Sequence, residues 1–260
     1  MIKTILKKLR WKLFLRPVLD QLDELEYKID AIYNKLSLSD DTVILKNAKF
    51  YVPNAPRDDI QGTQLSARFY EEEILLKLDK YLNENSVVLD IGANVGNHTV
   101  YWGKISKVNK IFAFEPVIST YCILEKNIEI NNLSNKVKLF NIGLGDKKTR
   151  AKIDIFSIDN IGATSINEDV NGDIKICALD DIYEINNESR IDFIKIDVEG
   201  FEKYVLEGAK HILLKHSPII FIESFPGKDT YDYTYNFLKE MGYSNPIKFP
   251  DDNYLFIKPP

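Results

Sequence analysis

Three ionisable side chains alternate with apolar ones in the run IDFIKIDVEG, residues 191–200. In an extended strand Lys195, Asp197 and Glu199 project to one side, where a buried strand is ordinarily apolar. Burying these charges is costly unless they pair or act on a ligand. Two interpretations are open: a structural Lys195–Asp197 pair with Glu199 capping the next helix, or an acid–base site.

A second group of chemically suggestive residues follows the apolar start of VVLDIGANVGNHTV, residues 87–100. Asp90 lies in the predicted strand, and Gly92 and Gly96 remove side chains where the chain turns and where a ligand can touch backbone. His98 follows closely enough to face the same site. The motif predicts a ligand-binding loop, and the alternative is a tight strand-to-helix turn.

The next predicted strand, KIFAFE, ends at Glu115, where a carboxylate can accept hydrogen bonds from both hydroxyls of a ribose. A dinucleotide site has G-x-G-x-x-G spacing and binds a pyrophosphate, whereas here the glycines are spaced G-x-x-x-G and Asp90 precedes them. These features favour cationic S-adenosylmethionine over NAD. Gly143 and Asp146 in NIGLGD are predicted to lie beside the adenine, unless they form a plain turn.

Methyl transfer to a hydroxyl requires an in-line approach and a group that accepts the hydroxyl proton. Asp197 or Glu199 can accept this proton, while Lys195 orients the acceptor or its carboxylate partner. Glu223, at the end of PIIFIES, can join Asp197 in binding a divalent ion such as Mg²⁺, which prefers oxygen ligands.

Beyond residue 87 strand-like and helical runs alternate, which predicts an α/β fold with a mostly parallel sheet covered by helices on both faces. Residues 41–57 predict a short strand or hairpin and then a loop, and a β-rich insertion is predicted after the third core strand. Single elements are predicted for the amphipathic helix 66–86, the strand VKLFNIGL and the helix 200–215.

Residues 1–40 are predicted to form a helical segment ahead of a domain spanning 41–260. Residues 1–16 carry six Lys or Arg and no acid, and apolar residues from Val18 to Leu36 follow a heptad rhythm. Packing against the domain, a homodimer seam and peripheral membrane contact remain open for this segment.

Composition narrows the class of protein. The 260-residue chain has 39 acidic and 34 basic side chains, so its formal charge of −5 argues against a nucleic-acid partner. Cys122 and Cys177 lack the spacing of a zinc site, and no apolar run reaches the length of a membrane span. We therefore expect a cytoplasmic protein.

The motifs DIGANVGNHT, AFEP and IKIDVEGFEKYVLEGA resemble, in order and separation, those of the FkbM family of S-adenosylmethionine-dependent methyltransferases. The resemblance covers roughly residues 65–225 and implies a Rossmann-like class I methyltransferase fold. It assigns five residues to the cofactor side: Asp90, Gly92, Asn94, Gly96 and Glu115. It places Lys195, Asp197 and Glu199 in the family's K-x-D-x-E-G stretch, and Asn160, Thr164 and Ser165 in an acceptor-side loop.

The resemblance further implies O-methylation of a sugar hydroxyl, on a nucleotide-activated sugar or a glycan intermediate of bacterial surface (capsule) polysaccharide biosynthesis. Two other classes remain open from the residues alone. One is a nicotinamide-dependent oxidoreductase, and the other is a noncatalytic scaffold that recruits partners through its heptads.

Overall fold

The computed structural model describes residues 41–106, 108–155, 164–225 and 229–259. The predicted helical segment 1–40 and the acceptor-loop residue Asn160 lie outside these ranges. Within the described residues, no helix combines the length and the apolar character needed to cross a membrane.

Thirteen strands and eight α-helices occur in the described ranges. The strands are β1 Thr42–Leu45, β2 Ala48–Tyr51, β3 Val87–Ile91, β4 Lys110–Phe114, β5 Val137–Phe140, β6 Gly143–Leu144, β7 Thr149–Ile155, β8 Ser165–Glu168, β9 Ile174–Cys177, β10 Phe193–Ile196, β11 Ile219–Glu223, β12 Ile247–Lys248 and β13 Asn253–Phe256. The helices are α1 Asp59–Leu65, α2 Glu72–Leu78, α3 Asn97–Lys104, α4 Ile118–Ile130, α5 Tyr183–Asn186, α6 Glu202–Glu207, α7 Lys210–His216 and α8 Asp229–Glu240.

Seven strands form the central sheet in the order β12-β13-β11-β10-β3-β4-β5. The strands from β11 to β5 are parallel, whereas β13 and β12 complete one edge in antiparallel pairing. The prediction of a mostly parallel sheet is therefore confirmed. The chain leaves β3 for β4 and β5 on one side and returns to β10 and β11 on the other, so the strand order reverses at the β3–β10 pair.

The pleat of the central strands divides the apolar core into two layers. Val88 of β3 and Phe193 of β10 face a layer that contains α3, α4 and the β1–β2 hairpin. Leu89 of β3 and Ile194 of β10 face the opposite layer, which contains α6, α7 and α8. Because both faces of the sheet are covered, its strands are apolar on both sides except where they approach the ligand edge.

The predicted β-rich insertion forms a second sheet, β6-β9-β7-β8. The run VKLFNIGL, predicted as one strand, instead divides into β5 and β6. This correction has a clear structural cause: β5 pairs with β4 in the central sheet, while β6 turns away to pair with β9.

The helices depart from the prediction at two places. The amphipathic run 66–86 contains a shorter helix, α2, which begins after Glu71 takes a left-handed backbone conformation with φ 55°. The predicted helix 200–215 is divided into α6 and α7 around Gly208. This glycine packs on the carbonyl of Gly145, and a Cβ there would lie 1.9 Å from the Gly145 oxygen.

Two asparagines, Asn127 of α4 and Asn131 at its C-terminal cap, hold the edge of the β1–β2 hairpin against the domain. Asn127 accepts a hydrogen bond from the Tyr51 N–H at 2.7 Å and donates to the Val95 carbonyl at 2.8 Å. Asn131 accepts from the Lys49 N–H at 2.9 Å and donates to its carbonyl at 2.6 Å. Buried amides thereby replace a neighbouring strand as hydrogen-bond partners.

We predict that Asn127→Ala lowers the free energy of unfolding by about 2 kcal/mol or more, because it leaves a backbone donor and a backbone acceptor unpaired. Chemical denaturation measures the change. Lys126→Ala, at the neighbouring exposed position, is the control and should change stability little. Equal stability of the two variants would contradict the proposed role of Asn127.

Candidate active site

The glycine loop that follows β3 is pinned between two neighbouring strands. The N–H groups of Gly92 and Ala93 both donate to the Phe114 carbonyl of β4, at 3.1 and 2.9 Å. Gly92 has φ 78°, and a Cβ at this position would lie 1.8 Å from the Asp197 carbonyl oxygen beyond β10. Only glycine therefore allows the loop to reach this position, where its backbone lines a cleft at the carboxyl ends of the strands.

Glu115 stands at the end of β4 with its carboxylate fixed. One oxygen accepts the Asn94 N–H at 3.0 Å, and the other accepts the Val117 N–H at 2.8 Å. Burial raises the pKa of Glu115 to about 7, against the lowering effect of these two hydrogen bonds. Each oxygen keeps acceptor capacity for a ligand, so the side chain can receive a pair of hydroxyl groups from the cleft.

Lys195 links the two strands at which the strand order reverses. Lys195 pairs in register with Asp90 of the neighbouring strand β3. Its ammonium donates a hydrogen bond to the Gly92 carbonyl oxygen at 2.9 Å. The same nitrogen lies 3.1 Å from Asp197 Oδ2 and 3.6 Å from Asp90 Oδ1. Burial disfavours the ammonium, but the charges of Asp197 and Asp90 outweigh this and raise the pKa of Lys195 above its ordinary value.

Three carboxylates converge at the ends of β10 and β11. Oxygen atoms of Asp197, Glu199 and Glu223 all lie within 4.8 Å of one another, so Glu223 can hydrogen-bond to Asp197 when it is protonated. Burial and then the charges of Asp197 and Glu199 raise the pKa of Glu223. The cluster can exchange a proton with a bound hydroxyl, and its oxygen set can also hold a divalent cation.

The cleft is also lined by Glu71, a residue absent from the predicted site. Asn97 of α3 fixes the preceding residue, because its side chain donates to the Tyr70 carbonyl at 2.8 Å and accepts the Tyr70 N–H at 3.0 Å. Glu71 Oε2 lies 3.5 Å from Nε2 of the buried His98. Burial and then the charge of Asp197 raise the pKa of Glu71 to about 7.

No sequence signal distinguished Glu71 from the two glutamates that follow it in FYEEEILL. The left-handed turn at Glu71 directs it alone of the three into the cleft. His98 was predicted to face the site and does line the cleft. Burial and then the charge of Lys195 lower the pKa of His98 well below its ordinary value, so its imidazole is neutral.

Most of the predicted site residues in the described ranges line one cleft. They are Gly92, Asn94, His98, Glu115, Gly143, Thr164, Lys195, Asp197, Glu199 and Glu223. The described part of the chain therefore brings both sequence motifs to the same edge of the sheet, although more than 90 residues separate Gly92 from Lys195.

Asp90 requires a correction, because its side chain lies beneath the cleft wall. The carboxylate is fully buried, accepts a hydrogen bond from the Thr99 hydroxyl at 2.5 Å and faces the Lys195 ammonium. It lies inside the sheet because the strand continues past it to Ile91 before the loop begins. Asp90 thus supports Lys195 and the loop from below.

Asp146 also lies away from the cleft. β6 ends at Leu144, and the chain then turns toward β7, which leaves Asp146 exposed to solvent while Gly143 and Leu144 line the wall. The backbone of Gly143 and the apolar side chain of Leu144 therefore line the wall where an acidic contact with the adenine was predicted. The alternative of a plain turn describes Asp146 better.

Two further predicted residues support the wall without lining it. Gly96 begins α3 with φ 91° and packs closely on Leu124, so it shapes the end of the loop. Ser165 starts β8 next to Thr164, which does line the cleft. Glu199 does not cap the next helix: α6 begins after Phe201 without a side-chain cap, and Glu202 accepts the Gly200 N–H at 2.9 Å.

These residues fit S-adenosylmethionine, which supplies an electrophilic methyl group on a positively charged sulfur. Glu115 can bind the ribose hydroxyls, and the glycine loop presents backbone where a Cβ would fill the space. The carboxylates at the far end of the cleft suit a cation better than a phosphate. Fold and cleft together define a class I methyltransferase.

Comparison with known proteins gives the family. The model of the methyltransferase FkbM domain matches residues 90–244, which is more than half of the chain. The chain therefore belongs to the FkbM family of S-adenosylmethionine-dependent methyltransferases. The oxidoreductase and the noncatalytic scaffold, which the residues alone had left open, are thereby excluded.

Relatives with similar sequences also carry the names of methyltransferases. "Methyltransferase 1" of Beauveria bassiana is 23% identical over 85% of this chain and 93% of its own length. "Hexuronic acid methyltransferase AglP" of Haloferax volcanii is 27% identical over 63% of this chain and 66% of its own length. The crystal structure of methyltransferase FkbM from Methylobacillus flagellatus aligns with a TM-score of 0.53 at 17% identity, over 76% of this chain and about half (52%) of that one.

We predict that Gly92→Ala destabilises the protein and lowers its affinity for S-adenosylhomocysteine about tenfold or more, because the new Cβ would displace the Asp197 carbonyl. Gly200→Ala is the matched control. Gly200 also has a positive φ, 104°, but no atom lies within 4 Å of an added Cβ, so only the backbone strain of about 1 kcal/mol should appear. Calorimetric titration and thermal melts measure both effects, and equal losses in the two variants would contradict a role for the close approach.

Proposed function

We propose that this protein transfers a methyl group from S-adenosylmethionine to a hydroxyl of a sugar, in a nucleotide-activated sugar or a glycan intermediate of bacterial surface polysaccharide biosynthesis. The carboxylate cluster of Asp197, Glu199 and Glu223, beside the glycine loop, is the observation that carries the proposal. Carboxylates accept hydrogen bonds from hydroxyl groups and can take the proton that methylation releases.

Asp197 is the residue to which we assign proton acceptance. Its side chain is 37% exposed toward the cleft, while the adjacent Lys195 is almost completely buried. Lys195 holds Oδ2 of Asp197 at 3.1 Å and the Gly92 carbonyl at 2.9 Å, so it fixes the carboxylate relative to the cofactor loop. In this proposal Lys195 orients Asp197 rather than the acceptor itself.

The acceptor enters from the side of the cleft formed by β10 and β11. Glu223 and Glu199 flank Asp197 there, and Thr164 and His98 add polar groups to the wall. A hydroxyl bound at Asp197 would face the glycine loop, which gives the in-line approach that methyl transfer requires. S-adenosylmethionine bound by the glycine loop and Glu115 would supply the electrophilic methyl group, and Asp197 would take the proton that the acceptor hydroxyl loses.

A divalent cation is the second role that the three carboxylates can fill, since their oxygens are close enough to bind one ion. We favour proton acceptance because Lys195 already supplies a positive charge beside Asp197. The related protein AglP, by its name a hexuronic acid methyltransferase, supports a sugar-derived acceptor. We further propose that the enzyme works in the cytoplasm.

We predict that Asp197→Asn lowers methyl transfer about 100-fold or more, because it removes the proton acceptor while keeping the shape of the side chain. Its affinity for S-adenosylhomocysteine should stay within about threefold of the natural protein. Glu115→Gln is the counterpart and should weaken cofactor binding about tenfold or more, since the ribose loses a charged acceptor. Purified protein is assayed with nucleotide-sugar pools by mass spectrometry, and equal loss of cofactor affinity in both variants would move Asp197 to the cofactor side.

We predict a methyl-transfer rate that rises as the pH passes through the raised pKa of Glu223. A protonated Glu223 would donate a hydrogen bond to Asp197 and occupy an oxygen that must accept the hydroxyl proton, so ionisation of Glu223 increases activity. Asp197, Glu199 and Lys195 are the charged groups that act on Glu223. In Glu223→Gln this rise should disappear.

Glu71→Gln is the control for the pH profile, because Glu71 also lines the cleft and has a pKa raised to about 7. The rise assigned to Glu223 should remain in this variant. Profiles are recorded with EDTA and with added Mg²⁺, since a strict requirement for the ion would assign the carboxylates to metal binding. An unchanged rise in Glu223→Gln would contradict the proposed role of Glu223.

A further inference from the structure

The charges that line the cleft are strongly unbalanced. Five carboxyl side chains face it, and Lys195 is the one lysine or arginine among its lining residues in the described ranges. The carboxyl residues are Glu71, Glu115, Asp197, Glu199 and Glu223. Lys195 is already committed, because Asp197 and Asp90 both lie within 3.6 Å of its ammonium. His98 adds no positive charge, since its buried imidazole is neutral.

The carboxylates fall into two groups on opposite sides of the strand-order reversal. Glu115 lies at β4, on the side of the cleft that fits the nucleoside. Glu71 is close enough to Asp197 and Lys195 for their charges to shift its pKa. Asp197 in turn lies within hydrogen-bonding reach of Glu223 at β11. Glu71, Asp197 and Glu223, defined here as the acidic wall, therefore belong to the acceptor side.

Hydrogen bonds and backbone conformation fix the inward position of Glu71 in the acidic wall. Asn97 makes two hydrogen bonds to the backbone of Tyr70, and the left-handed turn at Glu71 then directs this side chain inward, where only 18% of it is exposed. Behind Glu71 lies His98 Nε2, 3.5 Å from Glu71 Oε2. This buried atom forms no hydrogen bond within the described residues. Glutamate in a left-handed conformation beside like charges costs stability, which favours a functional reason for it.

We propose that the acidic wall binds the acceptor and that the sugar ring it takes is uncharged, a hydroxyl-rich hexose rather than a hexuronate. This inference rests on the proposed function. Hydroxyl groups donate to carboxylates, whereas a ring carboxylate would meet the acidic wall with no lysine or arginine besides Lys195 among the described lining residues to pair with it. This chain would then differ in acceptor charge from AglP.

Matched pairs of acceptors test the proposal: UDP-glucose with UDP-glucuronate, and UDP-galactose with UDP-galacturonate. The nucleotide is common to each pair, so a difference in S-adenosylhomocysteine release reports the ring carboxylate alone. We expect at least one hexose to be methylated about 100-fold faster than its hexuronate. Equal or faster methylation of a hexuronate would overturn the inference while leaving the proposed sugar methyltransferase intact. Methylation of none of the four would contradict the proposed function, and the inference with it.

Glu71→Gln tests the acidic wall directly, with Glu73→Gln as the control, because Glu73 has 89% of its side chain exposed. Removing the Glu71 charge should reduce the rate preference for the hexose over its hexuronate about tenfold and raise the KM for the hexose. The control should leave the preference and the KM unchanged. Thermal stability of Glu71→Gln should be unchanged or higher, since a like charge is removed. A large loss of S-adenosylhomocysteine affinity in Glu71→Gln would assign Glu71 to the cofactor and overturn the inference.

Discussion

The buried ammonium of Lys195 is the interaction on which the rest of the site depends. It joins the Gly92 carbonyl to the carboxylates of Asp90 and Asp197, at the pair of strands where the sheet reverses its order. Without this charge, two carboxylates would face each other in a region with little water to screen them. One side chain therefore sets the distance between the cofactor loop and the carboxylate that we assign to proton acceptance.

The strand order places the proposed cofactor site and the proposed acceptor site in different halves of the cleft. On one side, β3 and β4 carry the glycine loop and Glu115, which fit a nucleoside with a positively charged sulfur. On the other side, Asp197 and Glu223 lie at the ends of β10 and β11 and line the part of the cleft that we assign to the acceptor. Such a division follows from parallel strands whose carboxyl ends meet at one edge, so that distant motifs become neighbours.

Much of this arrangement could be predicted because its signals are local. The apolar runs of β3 and β10 mark the sheet, the spacing of Gly92 and Gly96 marks the loop, and the alternation of Lys195 with Asp197 marks a functional strand end. Family membership and the fold class were both recognised from these motifs.

The features that escaped prediction depend on tertiary contacts. Glu71 enters the cleft because Asn97 fixes the residue before it, and nothing in a run of three glutamates indicates which of them turns inward. Asp90 lies below the wall because the strand extends one residue further, to Ile91. Asp146 is exposed because β6 leaves the central sheet to pair with β9, a choice that its short sequence does not reveal.

The most direct measurement of the central claim is a crystal structure of the protein with S-adenosylhomocysteine. The account predicts a nucleoside whose ribose hydroxyls bind Glu115 and whose sulfur lies on the side of Asp197, with the Lys195 contacts unchanged. A ligand in the reverse orientation, with its ribose at Glu223, or the absence of a complex at saturating concentration would contradict it.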